Sequence, residues 1–167
     1  MSDTKPLVGV VMGSENDLDT MKRCLKQLEE FGIPYEVRVI SAHRTPDIAH
    51  EYSRSAVERG LKIIVAAAGM SAALAGVMAS KTTLPVIGVP IDSGPLSGWD
   101  SMLSTLQMPP GIPVGSMAIG KAGATNAGIY AAQILGVADE RIAEKLARFK
   151  QDQADKVRAQ DEQLQRK

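Results

Sequence analysis

The repeated succession of a short apolar run, a small polar loop and a helical pattern is the feature that most constrains this chain. Residues 7–12 (LVGVVM) form a continuous apolar run rich in valine, which is typical of a strand buried on both faces. A polar stretch follows at residues 13–17, and apolar residues then recur at helical spacing at Leu18, Met21, Leu25 and Leu28. Gly32 is expected to end that helix, and Pro34 to prevent its continuation.

The same unit recurs along the chain. Further strands are predicted over residues 35–40, 62–66, 85–89 and 114–119, with helices over about 45–60, 72–80 and 126–135. Apolar strands that alternate with helices indicate right-handed crossovers and a parallel sheet covered on both faces. We therefore predict an α/β fold, a three-layer α/β/α sandwich built on a flavodoxin-like, doubly wound parallel sheet. The 167 residues fit a single catalytic domain, 1–167, with its core at about 7–136.

Residues 139–165 differ from the rest of the chain because a thin apolar stripe lies on an otherwise charged helical pattern, at Ile142, Leu146, Phe149 and Val157. Two interpretations stay open. The segment is either a solvated terminal helix whose last turns fray, or an oligomerisation helix that packs on a neighbouring subunit. At about 1.5 Å per residue the stripe extends past the width of one domain, which supports the second interpretation.

Charge and cysteine content exclude several classes of function. The 19 basic and 19 acidic side chains cancel, so neither a nucleic acid nor an anionic membrane is expected as a partner. The single cysteine, Cys24, excludes an intrachain disulfide, and its helical surroundings favour a buried, inert thiol. Residues 1–6 lack the features of a signal peptide, and no apolar run approaches the roughly 18 residues of a membrane span. A cytoplasmic location is therefore expected.

The loops that follow the predicted strands form the candidate ligand site, because ligands bind outside the carboxyl ends of the strands in an open parallel sheet. These loops, at residues 13–17, 41–44, 67–71 and 90–98, are rich in small residues with hydroxyl or amide groups. Their hydroxyls, the backbone N–H groups at helix N-termini and the Arg44 guanidinium would suit a phosphate.

Two groups of residues in these loops have both a structural and a functional interpretation. Ser14, Asn16 and Asp17 are all good N-cap residues, but one helix start needs only one of them, and the excess favours ligand contact. His43 has no apolar pattern around it to make it part of the core, and a neutral imidazole can give and take a proton near pH 7. His50 lies within a predicted helix and is interpreted as a surface or structural histidine.

The familiar nucleotide and metal motifs are absent from the sequence. No Gly-x-Gly-x-x-Gly follows the first strand, and no Walker-type Gly-Lys-Ser/Thr occurs. Neither a His-Glu-x-x-His pair nor a carboxylate cluster predicts a metal, and no Gly-x-Ser-x-Gly predicts a hydrolase nucleophile. The residues alone therefore predict an α/β enzyme or binding protein for a small anionic ligand, with His43 at its centre.

Several strings in the same loops resemble one family. They are MGS at 12–14, SAHRTP at 41–46, PVIGVP at 85–90, QMPPGIPV at 107–114 and AIGKAGATNA at 118–127. Together they resemble the N5-carboxyaminoimidazole ribonucleotide mutase family, and the similarity runs from about residue 7 to residue 136.

The resemblance implies an isomerase of de novo purine biosynthesis that works without a cofactor or a metal. Such an enzyme interconverts N5-carboxyaminoimidazole ribonucleotide and 4-carboxy-5-aminoimidazole ribonucleotide through carbon dioxide, with His43 as the catalytic acid and base. The resemblance further implies a homo-octamer with sites at subunit junctions and a terminal helix that reaches over neighbouring subunits. The substrate-binding positions that it implies are Gly13, Ser14, Asn16, Asp17, Ser41, Arg44, Ala68, Gly69, Ser71, Ala72 and Ala73.

The chain departs from the mutase pattern at two places. Asn16 stands where mutases usually have serine. At residues 69–76 the chain reads GMSAALAG, where mutases usually read GGAAHLPG, so that Ala73 replaces a second active-site histidine. The related AIR carboxylase branch, which uses free carbon dioxide directly, often reads G-x-S-N-A-L-x-G there, but usually has lysine where this chain has Arg44.

Three functional interpretations therefore stay open. A mutase is favoured because more of the chain matches that branch. The alternatives are an AIR carboxylase and a catalytically degenerate paralogue that binds the nucleotide without turning it over.

Overall fold

A computed structural model describes residues 5–166, and it contains a five-stranded parallel sheet with the strand order β2-β1-β3-β4-β5. The strands are β1 (Val8–Met12), β2 (Tyr35–Val39), β3 (Ile63–Gly69), β4 (Val86–Ile91) and β5 (Gly115–Ser116). This order is that of a flavodoxin-like, doubly wound sheet. The predicted fold class is therefore confirmed.

Helices connect the strands and cover both faces of the sheet. They are α1 (Leu18–Phe31), α2 (Pro46–Ser55), α3 (Leu74–Ala79), α4 (Trp99–Leu106), α5 (Gly120–Gly136) and α6 (Glu140–Gln165), and a short 3-10 helix (Glu15–Asp17) precedes α1. Among residues 5–166, none of these helices combines the length and the apolarity that crossing a membrane requires.

Alternate residues of the central strands supply two separate cores, because successive side chains of a strand point to opposite faces. On one face Val10 and Val65 pack with α1 and α5, and Ile142 of α6 joins the same cluster. On the other face Val11 and Ile64 pack with α2 and α3. The continuous apolar runs of the sequence therefore reflect strands that are buried on both sides.

Small residues allow α5 to lie very close to α1. A Cβ on Gly128 would come within 2.8 Å of the Cys24 carbonyl oxygen, and Ala124, Ala127 and Ala131 are fully buried. The Cys24 thiol is buried as predicted, and desolvation raises its pKa to about 12. The thiol is therefore protonated and unreactive near neutral pH.

The observed bounds correct several predictions. Helix α5 begins at Gly120 and not near residue 126, and β5 contains only two residues where six were predicted at 114–119. Strand β3 continues to Gly69, past the predicted end at residue 66. Gly120 and Gly123 both precede the predicted start of this helix. Gly123 is required because α5 starts in close contact with the preceding chain, and a Cβ on Gly123 would overlap the Ala118 carbonyl oxygen.

Helix α6 is anchored to the domain by its first half only. Ile142 is buried, Phe149 packs edge-on against Phe31 with ring centroids 5.6 Å apart, and Lys145 Nζ donates to the Phe31 carbonyl oxygen at 2.9 Å. Farther along, Val157 and Leu164 are exposed. One chain therefore covers only part of the predicted apolar stripe.

Candidate active site

The carboxyl edge of the sheet carries a cleft of about 620 Å³, a size within the usual range for small-molecule sites. It lies where the strand order reverses between β1 and β3, which is the position expected for a ligand in this kind of sheet. The loops after β1 and β2 contribute Gly13, Ser14, Asp17, Ser41, His43 and Arg44. The end of β3 and the loop after it contribute Ala68, Gly69, Ser71 and Ala73.

The turn after β1 is held by a reciprocal pair of hydrogen bonds. Ser14 Oγ accepts from the backbone N–H of Asn16 at 3.2 Å, and Asp17 Oδ2 accepts from the backbone N–H of Ser14 at 3.1 Å. This is a capping box, so that capping accounts for two of the three polar residues in the turn. Burial raises the pKa of the Asp17 carboxyl, while the hydrogen bond from Ser14 opposes the rise.

The turn after β2 is held at both ends and tied to the turn after β1. Thr45 Oγ1 accepts from the Ser41 N–H at 3.0 Å and donates to the Ser41 carbonyl oxygen at 2.9 Å. Arg44 Nη2 donates to the Gly13 carbonyl oxygen at 2.9 Å, and Arg44 Nε donates to Ser41 Oγ at 3.3 Å. Because a guanidinium has five N–H donors, further donors remain for a bound anion.

His43 lies in the middle of this rigid turn, and its side chain is exposed on the cleft. Its neighbours Ser41 and Arg44 are fixed by the hydrogen bonds above, so the imidazole is carried on an ordered backbone. His50 lies in α2, outside the residues that line the cleft, in agreement with its interpretation as a structural or surface residue. The two histidines of the chain thus have different surroundings.

Two residues of the predicted site do not line the cleft. Asn16 is exposed at the 3-10 helix, where its backbone N–H, and not its side chain, joins the capping box. Ala72 is only 1% exposed and does not line the cleft. Ala73 does line the cleft, so the departure from the mutase pattern at this position lies in the site itself.

Four lining residues were not singled out from the sequence, namely Ala42, Met70, Leu74 and Ser93. Ser93 lies in the predicted ligand loop 90–98, and its hydroxyl was the available signal. It approaches Gly69 so closely that a Cβ on Gly69 would overlap Ser93 Oγ. The apolar side chain of Met70 carried no such signal.

In the described part of the chain, no three His, Cys, Asp or Glu side chains come together in a way that could hold a metal ion. The polar groups of the cleft are instead hydroxyls, one guanidinium, one imidazole and one buried carboxyl. This set of groups can bind a phosphate and a sugar, and it can transfer a proton.

The sequence profile of the AIR carboxylase family matches residues 7–156. The chain belongs to the AIR carboxylase family. It is 52% identical over 160 residues to the N5-carboxyaminoimidazole ribonucleotide mutase of Bacillus subtilis, covering 96% of this chain and 99% of that protein. The mutase of Pyrococcus horikoshii is 52% identical over 164 residues, covering 98% of this chain and 92% of that protein.

Two solved structures have the same fold as this chain. The crystal structure of Treponema denticola PurE has a TM-score of 0.82 at 30% identity, covering 95% of this chain and 98% of that chain. A crystal structure of a PurE2 variant from the same organism has a TM-score of 0.87 at 28% identity, covering 96% of this chain and 99% of that chain. The resemblance noted in the loop sequences is therefore confirmed.

Proposed function

We propose that this member of the AIR carboxylase family is an isomerase that interconverts N5-carboxyaminoimidazole ribonucleotide and 4-carboxy-5-aminoimidazole ribonucleotide in purine biosynthesis. The observation that carries the proposal is the cleft that His43 and Arg44 line together with Ser14 and Asp17. Relatives that are about half identical over nearly the whole chain bear the mutase name, which supports this reaction.

The 5-phosphate and the ribose are assigned to the first two turns. Arg44 and the Ser14 and Ser41 hydroxyls supply donors for phosphate oxygens, and the exposed amide of Asn16 can donate at the outer edge of the same turn. Asp17 has one hydrogen bond from Ser14, and ribose hydroxyls can donate to its remaining lone pairs. Ligand donors would therefore compensate the desolvation that raises the Asp17 pKa in the free protein.

His43 is proposed to move one proton between two atoms of the substrate. The imidazolium protonates the exocyclic nitrogen while the N–C bond of the carbamate breaks, which gives carbon dioxide and aminoimidazole ribonucleotide. Ring carbon 4 then attacks the carbon dioxide, and the neutral imidazole removes the hydrogen of carbon 4 as a proton. The proton lost by His43 in the first step returns in the second, so one residue serves as both acid and base.

The small residues of the cleft are proposed to hold the carbon dioxide beside carbon 4. Ala68, Gly69 and Ala73 line the same cleft as His43, and the buried Ala72 directly precedes Ala73 in the chain. Holding carbon dioxide and carbon 4 together replaces an encounter in solution by an intramolecular step. This proximity lowers the activation barrier to formation of the C–C bond.

An assay with the synthetic carbamate at very low bicarbonate tests the proposal. A mutase converts the carbamate without added bicarbonate, and its rate stays the same when bicarbonate is raised. Turnover that begins only after bicarbonate is added would assign the chain to direct carboxylation. No turnover under either condition would show that neither reaction is catalysed.

Direct carboxylation of aminoimidazole ribonucleotide is the second candidate, and one observation favours it. Ala73 lines the cleft at the position where mutases usually have a histidine. The carboxylase branch often has alanine at this position, as this chain does. Arg44, with its bond to Gly13 at 2.9 Å, favours the mutase, because the carboxylase branch usually has lysine there. The bicarbonate dependence above separates the two.

The functional unit is proposed to be a cytoplasmic homo-octamer of single-domain subunits. Large apolar side chains are exposed on α4, with Trp99 63% exposed and Leu106 56% exposed. The outer half of α6 also exposes Val157. An apolar surface of this kind is typical of an interface. Light scattering should give eight times the mass of one chain, and Trp99→Asp should lower that mass.

A further inference from the structure

Met70 adopts a backbone conformation that its side chain disfavours. Its φ angle is 55°, and Ser97 is the other non-glycine residue with positive φ among residues 5–166. This left-handed region is disfavoured for a residue with a Cβ, because the Cβ comes too close to the following carbonyl oxygen. The strained turn is tight, since the Ala72 N–H donates to the Met70 carbonyl oxygen at 2.8 Å and the Ala73 N–H donates to the Ser71 carbonyl oxygen at 2.7 Å.

Burial within the chain does not explain this strain. The Met70 side chain is 56% exposed, although a methionine of an ordinary core would be fully covered. It lines the cleft and lies against the loop after β4, where a Cβ on Gly94 would be 3.3 Å from Met70 Cγ. The positive φ thus holds a long, flexible apolar side chain at the cleft, between the loop after β3 and the loop after β4.

Most of the other apolar residues that line the cleft are small. Ala42, Ala68, Gly69 and Ala73 line the same cleft, and Leu74, the other large apolar side chain there, is only 1% exposed. Met70 is therefore the one exposed large apolar side chain among the lining residues. A thioether chain adapts to irregular space, so it can close over a ligand beside Ala73.

We propose that the Met70 side chain covers the reacting end of the substrate and keeps carbon dioxide in the cleft until carbon 4 captures it. The inference rests on the proposed function, because it concerns the interval between cleavage of the N–C bond and formation of the C–C bond. An apolar cover suits this role, since carbon dioxide is neutral and a hydrated gate would admit the water that competes for it.

Isotope retention measures this role directly. The carbamate substrate, labelled with carbon-13 at its carboxylate, is mixed with excess enzyme in unlabelled bicarbonate containing carbonic anhydrase, and the product is analysed by mass spectrometry. Wild-type enzyme should retain label in most of its product. In Met70→Gly the ratio of retained to lost label should fall about fivefold, the change expected when the barrier to escape loses ~1 kcal/mol of contact energy.

Two further variants separate the side chain from the backbone. Met70→Leu keeps the apolar bulk and should keep the wild-type ratio. Ser97→Gly relieves the same kind of backbone strain at a residue that does not line the cleft, and it should also keep the wild-type ratio. Glycine suits positive φ, so Met70→Gly is expected to fold, and its melting temperature checks this.

The outcomes distinguish the inference from the proposed function. A Met70→Gly enzyme that retains label as wild type does would overturn the role of Met70 while leaving the isomerase intact. Loss of all turnover in Met70→Gly, with Met70→Leu normal, would also overturn it, because the side chain would then serve the chemistry and not retention. Complete loss of label in the wild type would refute retention, whereas absence of wild-type turnover would refute the isomerase itself.

Discussion

Replacement of His43 by asparagine should remove catalysis and leave the fold and the nucleotide site in place. Asparagine can occupy the exposed position of the imidazole on the cleft, but it cannot exchange a proton near pH 7. A positioned acid or base contributes typically ~10²–10⁴-fold to a rate, which is about 3–5.5 kcal/mol of barrier. We expect turnover of the carbamate to fall by that factor.

Stability and binding should change far less, because the turn that carries His43 is held by other residues. Ser41 and Thr45 exchange two hydrogen bonds, and Arg44 bonds to Gly13. A substitution at an exposed position usually changes stability within ±0.5 kcal/mol, which is a shift of about 2 °C or less for a chain of this size. Product affinity measured by calorimetry should stay within about threefold of wild type, less than 1 kcal/mol.

The matched control is His50→Asn, since His50 is the other histidine and lies outside the cleft. Its turnover, followed by the ultraviolet absorbance change of the aminoimidazole, should equal that of the wild type. The proposed proton transfer would be refuted by a His43→Asn enzyme with turnover within about threefold of wild type. An equal loss in His50→Asn would point to a general effect of removing a histidine.

Further predictions concern the wall of the cleft and the pH dependence of stability. Ala73→His should raise carbamate turnover by about tenfold or more if the chain is a degenerate paralogue, and no gain would indicate a cleft adapted to alanine. Gly69→Ala should lower the free energy of unfolding by about 1–2 kcal/mol because the new methyl group overlaps Ser93 Oγ; adding Ser93→Ala should recover part of the loss in a urea titration, and full additivity would argue against the overlap. Desolvation raises the pKa of Glu36, but the hydrogen bond from Arg59 and further contacts outweigh it and leave that pKa below its usual value. The Glu36–Arg59 pair therefore stabilises the fold above about pH 4.3, and this stabilisation is lost as the pH falls through the lower pKa of folded Glu36. Glu36→Gln should lower the free energy of unfolding by about 0.5–1 kcal/mol at pH 7 and leave it unchanged near pH 2. An equal loss at both pH values would contradict this role of the pair.

The central strands and the edge of the sheet that carries the cleft were predictable because both follow from local patterns. Apolar runs such as residues 7–12 indicate strands buried on both faces, and the observed β1, Val8–Met12, lies within that run. The loops after parallel strands must meet at one edge of the sheet. His43 and Arg44 were singled out from their loop for this reason, and the structure places both on the cleft.

Helix bounds were less predictable where small residues serve close packing. The glycines at the start of α5 have the composition of a loop, yet Gly120 begins a helix that continues to Gly136. Local propensity disfavours glycine in a helix, but contact with α1 through Gly128 requires residues without a large side chain. Tertiary packing outweighs local propensity there, and one chain's sequence contains no separate sign of it.

The sequence by itself determined the succession of strands and helices along the chain and the edge of the sheet at which their loops meet. It also identified His43 and Arg44 as residues of that edge. Only the tertiary structure decided which loop side chains enter the cleft: Asn16 and Ala72 stay out of it, while Met70 and Ser93 line it. The physical reason is that hydrophobic periodicity is repeated over many residues, so it survives local variation. The direction of a loop side chain depends instead on single φ values, such as the 55° of Met70, and on contacts with residues distant in sequence.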